Sequence, residues 1–211
     1  MKLEQRFFAA DVKIEERAAT GSASQPLIRG YAAVFNQLSQ VMWGFREQIA
    51  PGAFAACMED DVRALWNHNT DYVLGRTKSG TLRLAEDNTG LMCEVAPADT
   101  QLTRDFMGMI QRGDVDQMSF GFVTLEDEWD MDDQDQVIRT IRKVKLYEVS
   151  PVTFPAYTQT SVAVRGQAVD GLYVPEIPAT CRRALDVAAG AGETRARLAA
   201  LRRRWELVSR Q

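Results

Sequence analysis

The fold is decided by the stretch Val115-Asp116-Gln117-Met118-Ser119-Phe120-Gly121-Phe122-Val123-Thr124-Leu125. Every second residue from Met118 to Phe122 is large and apolar, and the residues between them, Ser119 and Gly121, are small. This period of two is typical of a β-strand with one face in the core. The small residues on the other face leave room for another chain to approach.

A second strand is predicted over residues 137–149, where Val144 and Leu146 share one face and Glu148 follows in the same register. Residues 126–135, between the two strands, carry seven carboxylates. Like charges stay hydrated in a loop, so this segment is predicted to be an exposed hairpin loop. Pro151 and Pro155 are expected to end regular pairing, because proline lacks a backbone donor.

Residues 100–112 have apolar side chains at helical spacing, with Thr100 or Asp99 as N-cap and Gly113 as the stop. This is the one helix clearly predicted in the body. The other predicted elements are a short strand or arm at the N-terminus, strands at 27–35, 62–69, 74–84 and 90–95, and a turn with a short helix at 48–58.

These elements predict an α+β, strand-rich domain built on a closed or nearly closed β-barrel with surrounding helices and a C-terminal helical tail. We expect four parts. They are an N-terminal arm and loop (1–26), the main domain (27–165), a Gly- and Pro-containing linker (166–178) and a basic amphipathic helical tail (179–211).

Composition limits the class of protein. The chain has 211 residues, 45% of them hydrophobic and 26% charged, which suits one globular domain that folds without a disulfide or metal. Its apolar runs are too short for a membrane span, and its N-terminus lacks a secretory apolar region, which predicts a cytoplasmic protein. Cys57, Cys93 and Cys181 are odd in number and widely spaced, so reduced thiols are expected.

Charge is distributed unevenly. Residues 181–211 hold eight arginines and three acids, whereas residues 1–180 hold 17 basic and 26 acidic residues. A basic tail on an acidic body indicates docking to an acidic partner, to nucleic acid or to the body itself, and a solvated helix face is the alternative. The arginines alone do not support nucleic-acid binding.

The single histidine, His68, is the only side chain that could serve as an imidazole base. Alternation places it on the apolar face of the strand 62–69. The alternative is a histidine satisfied locally between Asn67 and Asn69. A metal site is disfavoured because Asp71 is the only nearby ligand, and no cofactor is predicted. Walker, Rossmann and Gly-x-Ser-x-Gly patterns are absent from the sequence.

Ser119 is the candidate nucleophile, although small residues could instead fill a tapered barrel position. Glu148 is the candidate acid, because a carboxylate on an apolar face needs a partner and could orient a histidine. The alternative is an ion pair with Arg139, Arg142 or a lysine of the same segment. Cys57 is a weaker nucleophile candidate, since its apolar surroundings suit a buried thiol.

Five short motifs, taken in order, resemble the tailed-phage prohead serine protease family, which is related to the herpesvirus assemblins. They are Gly30-Tyr31-Ala32-Ala33-Val34-Phe35-Asn36, Ile49-Ala50-Pro51-Gly52-Ala53-Phe54, Asn67-His68-Asn69, Met118-Ser119-Phe120-Gly121-Phe122 and Glu148-Val149-Ser150-Pro151-Val152-Thr153-Phe154-Pro155-Ala156-Tyr157.

The resemblance implies a serine endopeptidase that cuts scaffold segments from the major capsid protein precursor, and itself, inside the assembling prohead in the bacterial host cytoplasm. Ser119 would be the nucleophile, His68 the general base and Glu148 the orienting acid. Herpesvirus enzymes use a second histidine in the third role, and this chain has none. Self-association within the prohead is expected. The alternatives are a noncatalytic scaffold or capsid-assembly module, and a hydrolase of small esters.

Overall fold

A computed structural model describes residues 3–8, 12–17, 25–41, 44–153, 168–169, 172–173 and 175–183. This part of the chain is strand-rich. It contains one long helix, α1 (Gln101–Arg112), a 3-10 helix (Ala55–Cys57) and a helical stretch at 179–183. The strands are β1 (Glu4–Phe8), β2 (Lys13–Arg17), β3 (Gln25–Val34), β4 (Arg46–Ile49), β5 (Arg63–Trp66), β6 (Asn69–Arg76), β7 (Leu82–Glu86), β8 (Gly90–Val95), β9 (Gln117–Met131), β10 (Val137–Val152), β11 (Ala168–Val169) and β12 (Leu172–Tyr173).

The long hairpin of β9 and β10 is the centre of the larger sheet. That sheet has the order β1-β9-β10-β5-β6, with β4 also paired to β10, and a second sheet has the order β2-β3-β8-β7. β10 runs antiparallel to β9 but parallel to β4 and β5. Strand pairing among the described residues does not join the two sheets into one ring. The strand-rich fold is therefore confirmed, and the closed or nearly closed barrel is not.

The acidic segment is not the loop that its charges predicted. β9 continues through it to Met131, and only residues 132–136 form the turn. The reason is the basic strand opposite, where Arg142 donates to Glu128 at 2.8 Å and Lys143 to Glu126 at 3.3 Å. Cross-strand pairs of opposite charge remove the repulsion that a loop was expected to relieve.

Two other strand limits differ from the prediction. The segment 74–84 is divided between β6 and β7 by a turn in which Gly80 has a φ of +73°. Pro151 does not end β10, because it remains in register with Met118 and its carbonyl still accepts a bond from the backbone of Asn67. Pro155 lies outside the described residues.

The predicted helix is confirmed as α1. Thr100 is its N-cap and exchanges bonds with Thr103 in a capping box, and Gly113 ends it at a φ of +81°. Its buried residues, Phe106 and Ile110 among them, join a core that also holds the apolar residues of β9.

Four charged side chains form a buried cluster that the sequence did not reveal. Glu4 of β1, Arg6 of β1, Glu47 of β4 and Arg139 of β10 are each at most 2% exposed. Arg6 donates to Glu4 and Glu47, and Arg139 donates to the same two carboxylates. Asp127, at the rim, accepts from Nε of Arg139 at 2.6 Å. The cluster fixes β1 against the centre of the sheet.

The predicted N-terminal arm contributes β1 and β2, each paired within a sheet. In the predicted linker, the backbone N–H of Tyr173 donates to the carbonyl of Leu3. Ile177 and Cys181 are buried against Phe45 and Val137. Residues 184–211, which carry most of the predicted helical tail, lie outside the described residues. No helix in the described part of the chain is long and apolar enough to cross a membrane.

Candidate active site

His68 lies in the turn between β5 and β6, not on a strand face as alternation predicted. β5 ends at Trp66, which pairs with Asn69, so Asn67 and His68 form a two-residue turn. Their φ angles are +54° and +58°, as at the central positions of a type I′ hairpin turn. Positive φ is uncommon for residues other than glycine, although asparagine and histidine adopt it more often than most, and such residues cluster at functional sites.

Glu148 is not on the face of Val144 and Leu146 that alternation predicted. A register shift falls between Leu146 and Glu148, so that Leu146 pairs with Phe122 and Glu148 pairs with the next residue of β9, Gly121. The bulge at Tyr147 reverses the side to which the following residues point. As a result, the Glu148 carboxylate leaves the apolar core.

The turn and the bulge bring His68 and Glu148 together. Nδ1 of His68 lies 2.6 Å from Oε1 of Glu148, and the two side chains are 13% and 11% exposed. A carboxylate can only accept a hydrogen bond, so Nδ1 is the donor, and in a neutral imidazole Nε2 is then the acceptor. The predicted partnership of these two residues is present.

Ser150 completes this arrangement and was missed in the sequence. Its Oγ donates to Oε2 of Glu148 at 2.5 Å and accepts from the backbone N–H of His68 at 3.3 Å. Each oxygen of the carboxylate therefore has a partner, as burial requires. The signal was available, because Ser150 stands two residues beyond Glu148 on one strand and so shares its face.

Ser119 lies on the neighbouring strand, directly opposite Ser150 in the register of β9 and β10. Its side chain is fully buried, and its Oγ donates to the backbone carbonyl of Arg6 at 2.9 Å. Ser119 therefore faces the same side of the sheet as Glu148 and Ser150, one cross-strand position from the serine that contacts His68.

The space above Gly121 is occupied by Glu148 itself. A Cβ at position 121 would stand 2.3 Å from Oε1 of Glu148 and 3.1 Å from its Cδ. Glycine is therefore required for the carboxylate to lie over the strand. The sequence indicated this free space correctly, but a side chain of the protein fills it.

The alternative partners for Glu148 are wrong. Arg139 belongs to the buried cluster, and Arg142 pairs with Glu128. Of the lysines, Lys143 pairs with Glu126 and Lys145 lies over the ring of Tyr147. Cys57, the weaker nucleophile candidate, is unsuited to that role. Its Sγ donates to the carbonyl of Phe54, and burial raises the pKa of the thiol to about 11. Little thiolate exists at neutral pH with such a pKa.

The remaining site predictions concern ligands and the tail. No group of three or more His, Cys, Asp or Glu side chains in the described ranges is arranged to hold a metal ion. Most of the basic amphipathic helical tail predicted for residues 179–211 falls beyond residue 183, outside those ranges.

Comparison with known proteins identifies relatives over most of the chain. A family model described as caudovirus prohead serine protease matches residues 11–172. The prohead protease of Enterobacteria phage HK97 is 30% identical over 159 residues, 72% of this chain and 65% of that protein. The chain thus spans slightly less than two thirds of that relative. The solved structure of the bacteriophage T4 capsid assembly protease has a TM-score of 0.49 at 10% identity, covering 73% of this chain and 98% of that chain. Since the family model extends over well more than half of the sequence, this chain belongs to the caudovirus prohead serine protease family.

Proposed function

We propose that this protein is a serine endopeptidase of capsid maturation in which Ser119 is the nucleophile, His68 the general base and Glu148 the acid that orients His68. The observation that carries the proposal is the 2.6 Å contact between Nδ1 of His68 and Oε1 of Glu148. The only imidazole of the chain is thereby held in one tautomer. Its backbone N–H donates to Ser150, the residue that is paired across the sheet with Ser119.

The chemistry is acyl transfer. Nε2 of His68 takes the proton of Ser119 Oγ as that oxygen attacks a peptide carbonyl, and the imidazolium is stabilised by Glu148. His68 then gives the proton to the leaving amine. Water, deprotonated by His68, cleaves the acyl ester and restores the Ser119 hydroxyl. Ser150 keeps the carboxylate oriented through Oε2.

The hydroxyl of Ser119 has to turn before this reaction starts. It has a single proton, which it donates to the carbonyl of Arg6 in this structure, so the proton must be redirected to His68. Ser119 is also fully buried, and a substrate carbonyl can reach it only after the site opens. The conformation described is therefore a resting one.

Substrates and partners follow from family membership as further proposals. The enzyme cuts scaffold segments of the major capsid protein precursor, and itself, within proheads in the host cytoplasm. We also propose that the protein self-associates in the prohead and that residues 179–211 form a docking helix. The closed or nearly closed barrel and the domain limits given above remain proposals. Deleting residues 184–211 should reduce incorporation into proheads, and loss of folding would instead indicate that the tail packs on the body.

The test is co-expression with the capsid precursor of the same virus, followed by intact-mass analysis. Wild type should cleave the precursor, and Ser119→Ala and His68→Ala should leave it whole while remaining folded. Ser79→Ala is the matched control, because Ser79 is an exposed serine bonded locally in the turn before β7. Cleavage by Ser119→Ala would eliminate Ser119 as the nucleophile.

A noncatalytic assembly module is the second candidate, and the full burial of Ser119 is the observation that favours it. A fluorophosphonate probe separates the two functions in assembled proheads. If the protein is a protease, the probe labels wild type but not Ser119→Ala. If it is an assembly module, wild type is neither labelled nor able to cleave the capsid precursor, and the shells still assemble normally.

A further inference from the structure

The turn that carries His68 is fastened to the end of β10 by the neighbouring asparagine. Oδ1 of Asn67 accepts from the backbone N–H of Thr153 at 2.8 Å, and Nδ2 donates to Oγ1 of Thr153 at 3.0 Å. The backbone N–H of Asn67 also donates to the carbonyl of Pro151 at 3.1 Å. One residue thus makes one bond to β10 and two to Thr153, the residue that follows it.

Strand pairing with β10 ends before this turn. β5 pairs with β10 at two positions, Arg63 with Glu148 and Ala64 with Val149. The register of β5 with β6 then shifts on both sides of Leu65. His68 therefore stands four residues beyond the last regular pair with β10, and a small rotation of the turn would carry its ring away from Glu148.

We infer that Asn67 is the positioning residue of the site, which holds His68 against Glu148 by clamping the turn to Thr153. This inference rests on the proposed role of His68 as general base. An asparagine suits the position for two reasons. It tolerates a positive φ better than most residues, and its amide both donates and accepts, as the two bonds to Thr153 require.

Three variants distinguish the side-chain bonds between Asn67 and Thr153 from the positive φ of residue 67. Asn67→Gly keeps the positive φ but removes the amide. Thr153→Val removes the hydroxyl that accepts from Nδ2, and Thr153→Ser restores it. The matched control is Asn69→Ala, which removes the other amide beside His68. The Asn69 side chain is exposed, and its Oδ1 accepts from the backbone N–H of Asp71.

The first readout is the ¹⁵N spectrum of the imidazole in labelled protein, which needs no assignment because the chain has one histidine. In wild type, donation to Glu148 selects the Nδ1–H tautomer. Asn67→Gly is expected to release the ring to the Nε2–H tautomer that neutral imidazole prefers in water, with Thr153→Val moving the same way. Thr153→Ser and Asn69→Ala should keep the wild-type spectrum.

The second readout is the rate of fluorophosphonate labelling at Ser119 in assembled proheads. A misplacement of about 1 Å costs on the order of 10²-fold in rate, so Asn67→Gly should lose about that factor. An unchanged tautomer in a folded Asn67→Gly protein, or a wild-type ring already in the Nε2–H form, would overturn the inference. A third result would separate the two proposals. If wild type has the Nδ1–H tautomer and Asn67→Gly loses it, but Ser119 of wild type is never labelled, the positioning role of Asn67 is supported and the protease proposal fails.

Discussion

Glu47→Gln should destabilise the protein strongly, because it breaks the buried charged cluster. Glu47 accepts from Nε and Nη2 of Arg6 at 2.5 and 3.1 Å and from Nη1 of Arg139 at 2.8 Å. Glutamine has nearly the same shape but no charge. The substitution leaves two buried guanidinium groups with Glu4 as their only fully buried carboxylate in the described part of the chain.

The magnitude follows from burial. Removing one partner from a buried charged network costs about 3–5 kcal/mol, because the remaining charge stays desolvated. For a chain of this length, each kcal/mol lowers Tm by roughly 2–4 °C, so the expected loss is roughly 6–20 °C. Glu128→Gln is the matched control, since Glu128 and its partner Arg142 are 64% and 49% exposed. Exposed pairs contribute at most about 1 kcal/mol.

Urea unfolding at neutral pH, followed by tryptophan fluorescence and circular dichroism, measures both variants. The Glu47→Gln protein should show a lower midpoint with an unchanged m-value, which indicates lost stability without a change in the surface exposed on unfolding. Free energies of unfolding within 1 kcal/mol of each other for Glu47→Gln and Glu128→Gln would refute the reasoning.

Three further outcomes are expected. Gly121→Ala should abolish fluorophosphonate labelling of Ser119, because the added Cβ would stand 2.3 Å from the Glu148 carboxylate that holds His68. Gly108→Ala is the control, since its Cβ would meet open space, and equal labelling of the two variants would contradict the site geometry. Burial opposes ionisation of Glu4, but Arg6 and Arg139 outweigh it and lower its pKa below about 4.5. The stability that Glu4 contributes is therefore present above about pH 4.5 and is lost as the pH falls through the lower pKa of the folded state. In urea unfolding measured from pH 6 to pH 3, the free energy of unfolding of Glu4→Gln should therefore fall less steeply than that of wild type. Burial raises the pKa values of Cys57 and Cys93 to about 11 and about 12, so both thiols should resist a disulfide reagent until the protein unfolds, and rapid reaction of either in the native protein would contradict their burial.

The parts of the fold that the sequence predicted are those that short-range patterns specify. The capping of α1 by Thr100 and its termination at Gly113 depend on residues within one turn of helix. The core face of β9 follows from alternation alone. The expectation that Glu148 needs a polar partner rested on alternation through Tyr147, which the bulge there interrupts. With one histidine in the chain, His68 could be named in advance as a candidate partner, beside an ion pair with Arg139, Arg142 or a lysine of the same segment.

The sequence by itself determined the strand-rich class, the helix, the family resemblance and three candidate residues of the site. Only the tertiary structure decided how they meet. The bulge at Tyr147 turns Glu148 out of the core, and the turn at Asn67 brings His68 to it, because each depends on strands whose register is fixed by distant partners. The same holds for the buried cluster, where Arg6 meets Glu47 and Arg139. Pairs so far apart in the chain leave no periodic signal, since their contact exists only after the sheet has formed.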